Sequence, residues 1–227
     1  MRLKLIISIA FVLSIVNILT SQNEQDIQTL SIFSEYVKSK NFDAAYTPWM
    51  ELRQRNPRFN KAIFIYGERI LKNKIKTSVG QEKINFINDM LKLWDERKNH
   101  FPSSTPVGTY SAKACQLKYD YRSELGYSKQ DLLECFSVSY ESDSKTFTNP
   151  KSLYTYFSLV VDMFDLGEIS AQEFFGLYDV ITEKVESEVK NYTTKRNSFL
   201  NDDGDPKDLS RKDSSKLNSY NLSLIHI

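Results

Sequence analysis

The chain has 227 residues, 41% hydrophobic and 26% charged, an ordinary globular balance with enough apolar material for a real core. Thirty Lys and Arg against 29 Asp and Glu give +1. Removing Arg2 and Lys4 leaves 28 against 29, or −1, which excludes the global basic footprint that nucleic acid or an anionic membrane surface requires. Glycine (7) and proline (6) are scarce while aromatics reach 13%, so long helices with bulky packing faces are expected rather than a turn-rich β-sandwich.

Arg2 and Lys4 precede an apolar run over 5–19 that ends in Thr20, Ser21 and Gln22, the layout of a secretory signal peptide over 1–21. The run is shorter than the roughly 20 residues that span the hydrocarbon core, and Asn17 interrupts it, so no stable membrane span is expected after cleavage near Ser21. No cysteine at the junction offers an acceptor for a lipid anchor. The expected location is the periplasm, the cell surface or the exterior.

Over 26–39 the positions Ile27, Leu30, Ile32, Phe33, Tyr36 and Val37 follow a helical spacing, with Asp26 placed as an N-terminal cap. A second helix is expected over 42–55, with Ala45, Trp49 and Leu52 on one stripe and Asn56-Pro57 stopping it. Pro48 lies inside that helix, where its missing N–H and its ring predict a kink or a frayed first turn.

Residues 26–59 resemble one tetratricopeptide unit: Tyr36 and Ile32 stand for the large first-helix residues, Ala45 for the small contact residue, Trp49 for the aromatic, and Pro57 for the terminating proline. Thr29 and Phe33 depart from the pattern's tryptophan and glycine. Tyr66-Gly67 follows Ile32-Phe33 by 34 residues and puts a glycine where two helices approach closely. The period then breaks, because Pro102 follows Pro57 by 45 residues; a longer connection around 77–80 or a longer second helix is expected, its stripe being Ile84, Ile87, Met90, Leu91, Trp94 and Phe101. With the Asn-Phe-Asp-Ala-Ala-Tyr segment at 41–46 and the export signal, the chain resembles the secreted tetratricopeptide-repeat proteins of Bacteroidota. That resemblance implies an all-α fold of stacked antiparallel helix pairs, a TPR-like α-solenoid, over 22–200.

Later pairs rest on periodicity. A helix over 109–124 and a partner from Ser128, opened by the capping form Ser128-x-x-Asp131, make the third pair. The fourth runs from Asn149-Pro150 through Tyr154, Phe157, Val160, Val161 and Phe164 to a turn at Leu166-Gly167, and then from Ser170 through Phe174, Leu177, Tyr178, Val180 and Ile181 toward Asn197. Cys115 and Cys135 lie ten residues either side of Leu125, so an antiparallel hairpin brings them to similar heights. Export would allow a disulfide to persist there; two small buried thiols are the other reading. Residues 201–221 read as a polar linker. The final 222–227, Leu-Ser-Leu-Ile-His-Ile, are what CTG TCT CTT ATA CAC ATC encodes and look like a sequencing-library transposase adapter, so the natural chain is expected to continue past about Tyr220 into more repeats.

With only His100 and His226 there is no Ser-His-Asp or Cys-His constellation, and His100 reads as a helix C-terminal histidine. No phosphate cradle or zinc spacing is present, and Asp202, Asp203 and Asp205 lack the EF-hand pattern, so no catalytic residue, cofactor or metal is expected. Lys72, Lys74 and Lys76 read as a solvated helix end, and Asp89 with Glu96, or Asp162 with Asp165, as solvated helix faces. The expected function is an exported binding scaffold for an unknown protein or peptide, with no activity of its own. The family's groove positions fall on Ser34, Val37, Lys38, Phe64, Glu68 and Lys72, and its repeat core on Tyr36, Ala45, Trp49, Leu52, Pro57, Tyr66 and Gly67. The alternatives are a helical carbohydrate-active or other periplasmic enzyme, signalled by carboxylates converging in a deep pocket, or a purely structural envelope subunit.

Overall fold

The computed structural model describes residues 23–211, 213–215, 217, 218 and 221. The expected signal segment 1–21 and the adapter-like residues 222–227 lie outside the described residues. Within them the fold is all-α, the one exception being an isolated antiparallel bridge between Leu200 and Pro206. The chain divides into two compact units at Ser104 and Thr105, where the sequence reading treats 22–200 as one repeat domain.

The first unit holds α1 (23–38), α2 (Phe42–Arg55), α3 (Ala62–Thr77), α4 (Gly80–His100) and a 3-10 turn, Pro102–Ser104. Short connections make consecutive helices antiparallel neighbours. The broken 34-residue period has its cause in α4, whose 21 residues follow α3 after only Ser78 and Val79. Asn41 caps α2 by accepting from the Ala44 amide, and α2 runs through Pro48 as one helix.

Trp49 fixes the centre of this unit. Its ring is fully buried, its Nε1 donates to the Ile63 carbonyl at 2.8 Å, and a Cβ at Gly67 would come within 2.5 Å of the indole. Only a residue without a side chain lets the indole lie against α3, which is the close approach the glycine predicts. Ala45 and Leu52 are buried beside it on α2, as are Phe64, Ile70 and Leu71 on α3 and Ile87 and Met90 on α4.

The register of α1 corrects the repeat alignment. Ile32, matched to a large first-helix residue of the pattern, and Tyr36, assigned to the repeat core, are exposed at 50% and 38%, whereas Phe33 and Val37 are buried. Asp26 is no cap: it lies inside α1, fully buried, with its Oδ1 2.8 Å from Arg55 Nη2 and its Oδ2 accepting from Asn56 Nδ2 at 2.8 Å. The inward stripe is therefore Asp26, Thr29, Phe33 and Val37, at steps of three, four and four. Pro57 and Tyr66 are half-buried, Tyr66 meeting the edge of Phe33 at 6.1 Å.

The second unit holds α5 (Val107–Asp120), the single turn α6 (Arg122–Leu125), α7 (Lys129–Ser142), α8 (Pro150–Asp165) and α9 (Ala171–Asn197). Its helix starts were legible: the Ser128 hydroxyl accepts from the Asp131 amide at 3.1 Å while Asp131 accepts from the Ser128 amide at 2.9 Å, and Asn149 caps α8 with Pro150 in the first turn. The interior packs Leu132, Leu133 and Phe136 of α7 against Leu153, Tyr156 and Leu159 of α8, with Phe147 from the intervening loop. Burial raises the Tyr156 hydroxyl pKa, only partly opposed by its hydrogen bond with Ser137.

Cys115 and Cys135 form a disulfide with their Cα atoms 5.8 Å apart, joining α5 to α7. A bridged sulfur has no proton, so the contact of Cys115 Sγ with Ser139 Oγ, 3.2 Å, is donated by the serine. Gly108 starts α5 against the α7–α8 loop, where an added Cβ would stand 2.1 Å from the Asp143 carbonyl oxygen. Beyond α9 the chain is not a plain linker: Lys207 N–H donates to the Phe199 carbonyl at 3.0 Å, and Leu217 is buried.

Candidate functional site

Three of the six positions picked for a groove in the first unit are closed to solvent. Ser34, Val37 and Phe64 are buried, because α1 turns its Phe33–Val37 stripe inward and Phe64 packs edge-on against Phe101 at 5.7 Å. Of the rest, Lys38 pairs with Glu35 at 2.6 Å and Lys72 with Glu68 at 2.9 Å, and Glu68 also accepts from Trp94 Nε1 at 3.2 Å. Lys74 pairs with Asp43 at 2.6 Å, so the basic end of α3 is tied to α2.

A polar cleft in the same unit is lined by Arg53, Gln54, Asp89, Lys92, Glu96 and His100. Arg53 is almost fully buried; its Nε lies 2.7 Å from Glu96 Oε2, its Nη1 lies 2.9 Å from Asp89 Oδ1, and the guanidinium sits 5.1 Å from the Trp49 ring centre. The two carboxylates singled out in the sequence thus converge on one cation that ties α2 to α4, and Lys92, 3.8 Å from Glu96, brings the second positive charge. His100, the last residue of α4, accepts at Nδ1 from Arg58 at 3.4 Å. In the second unit Asp162 is held by Lys129 at 2.8 Å. No group of three or more His, Cys, Asp or Glu among the described residues is arranged to hold a metal.

The outward face of α8 and α9 is different. The sequence reading puts Tyr154, Phe157 and Phe164 on the core stripe of α8, but the buried face comprises Ser152, Leu153, Thr155, Tyr156, Leu159, Val160 and Met163. Tyr154 is 63% exposed, Phe175 59%, and Phe164, Tyr178 and Val180 also reach solvent. Two ring pairs meet across the hairpin, Phe164 stacking on Phe174 at 4.4 Å and Phe157 meeting Tyr178 at 5.6 Å, and on α9 itself Phe175 adjoins Phe174 at 5.3 Å. Farther from the turn they continue into an apolar groove between Leu153, Tyr154 and Phe157 of α8 and Ile181, Thr182 and Val185 of α9. From Phe164 to Tyr154 the strip is about 15 Å long at 1.5 Å per residue.

Two local features hold this face open. Gly167, at φ 74°, reverses the chain after α8 and lets the Glu168 amide reach the Met163 carbonyl at 2.9 Å, and the Ser170 hydroxyl caps α9. At the far end Tyr192 donates to the Thr148 carbonyl at 3.1 Å, anchoring the long α9 beside the start of α8. Contiguous exposed aromatics on a rigid hairpin are the surface chemistry of a docking site, since each ring offers large apolar area at low entropic cost. The family scan, the curated proteins and the solved structures contain no match to this chain.

Proposed function

We propose that the chain is an exported, tetratricopeptide-like binding scaffold that holds a protein or peptide segment and has no catalytic activity of its own. The observation that carries the reading is the aromatic strip on α8 and α9, where Tyr154 and Phe175 are more than half exposed beside the ring pairs Phe164–Phe174 and Phe157–Tyr178. Short connections between helices in each unit and Trp49 seated on Gly67 support the repeat-like part of the reading. The signal layout over 1–21 supports export, and the secreted tetratricopeptide-repeat proteins of Bacteroidota are the resemblance that unites these features. The binding face lies in the second unit, not on the six groove positions of the first.

The test places a photo-crosslinking phenylalanine analogue at Phe175 of the full chain in its native host, with the same analogue at exposed Gln28 as the comparison. A discrete protein adduct from position 175 and none from position 28 is expected. Equal labelling from both positions, or none from 175 in folded protein, contradicts a docking role for the strip.

A further inference from the structure

Resting on that binding reading, we propose that the occupant of the α8–α9 strip is a basic amphipathic helix. On α9, Phe175, Tyr178, Thr182, Val185 and Val189 recur at i, i+3, i+7, i+10 and i+14, one continuous ridge beside the groove. A ridge and groove with this repeat is the surface into which the i, i+3, i+4 side chains of another helix interlock. One step round α9, exposed Asp179, Glu183 and Glu186 follow at i, i+4 and i+7, and Asp165 and Glu168 stand at the turn end of the strip. None of these five carboxylates is in an ion pair among the described residues, whereas Asp162 and Glu188 are held by Lys129 and Lys184.

Residues 150–190 carry three Lys and no Arg against eight Asp and Glu, a net charge of −5 on a chain whose total is near zero. Two of those lysines are engaged, Lys151 with Asp120 and Lys184 with Glu188. The acidic rim therefore selects a partner with cationic flanks. It also argues against a second copy of this chain, since a two-fold contact through the same face would set −5 against −5.

The inference is tested with two synthetic helices of roughly 20 residues, about 30 Å long. Both have the same Leu stripe; one is flanked by Lys and the other by Glu, and each is titrated into the full chain at low and high salt. The Lys-flanked helix should bind at least about tenfold more tightly and weaken as salt shortens the screening length. Asp179→Lys combined with Glu186→Lys should erase or invert that preference. Phe175→Asp, at an exposed position where folding is checked by circular dichroism, should abolish binding although it makes the face more acidic; unchanged or tighter binding would reveal bare charge attraction and overturn the proposal. Equal affinity for both helices, or a preference that survives charge reversal, overturns the basic-helix inference while leaving the docking face in place. A concentration-dependent dimer that Phe175→Asp dissolves assigns the face to a second copy and also overturns it. If neither helix binds, the inference falls, and crosslinking at position 175 separately decides whether the docking reading falls with it.

Discussion

The two units use similar antiparallel helices to opposite ends. In the first, the polar side chains that look functional are taken into the structure: Asp26 is buried against Arg55 and Asn56, and Arg53 is buried against Asp89 and Glu96. Both of its indoles, Trp49 and Trp94, are buried, Trp49 wholly. In the second, an apolar interior is joined across α5 and α7 by a disulfide, and large rings remain outside on α8 and α9. Charge convergence alone is thus a poor guide to a site, because the two carboxylates are already taken up by buried Arg53, with Lys92 beside Glu96. Apolar area left over after the core is filled is the better one.

The largest effect that sharpens this contrast is expected from Trp49→Ala. It removes a fully buried ring, its hydrogen bond to Ile63 and its contact with Gly67, and should cost roughly 3–5 kcal/mol of unfolding free energy in denaturant titration. Phe175→Ala, by comparison, should change stability by no more than about 0.5 kcal/mol, as exposed substitutions do. A loss below about 1 kcal/mol for Trp49→Ala would remove the distinction between a ring used for folding and a ring kept for binding.

The disulfide gives the next effect. Reduction should destabilise the second unit by about 3 kcal/mol, the scale for closing a loop of this length, and leave the first unit's Trp49 and Trp94 fluorescence transition in place. Two reactive thiols in denatured, unreduced protein would contradict the bridge.

The elements were largely legible in the residues; the faces were less so. The spans of α2, α8 and α9 and the Ser128-x-x-Asp131 start of α7 follow from caps, prolines and periodicity, all of which are local. The inward face of α1 was misread because Asp26 is acceptable inside only through Arg55 and Asn56, about thirty residues away, which no local window contains. On α8 the small polar Ser152 and Thr155 are buried while Tyr154 and Phe164 are not. A rule that sends large apolar residues inward places the future strip in the core, so the candidate site was visible as residues and invisible as a surface.

The smallest expected effect is on acid stability. Hydrogen bonds from Thr146 and the Gly108 amide hold the Asp143 carboxyl below its ordinary pKa, and those from Ser128 do the same for Asp131. Both pKa values are depressed in the folded state, so their contribution is present above the ordinary carboxylate pKa near 4 and is lost as the pH falls through the lower folded values. Asp143→Asn should lower the melting temperature slightly at neutral pH and make it less sensitive to acid. An unchanged acid profile would show that the link from Asp143 to the start of α5 contributes nothing.

The central claim, that binding belongs to the α8–α9 strip and not to the first unit, is tested most directly by aromatic proton NMR of the full chain titrated with the Lys-flanked helix. The account predicts progressive shifts for Tyr154, Phe157, Phe175 and Tyr178 while the indole signals of Trp49 and Trp94 stay fixed. Shifts concentrated on the two tryptophans, with the strip unmoved, would contradict it.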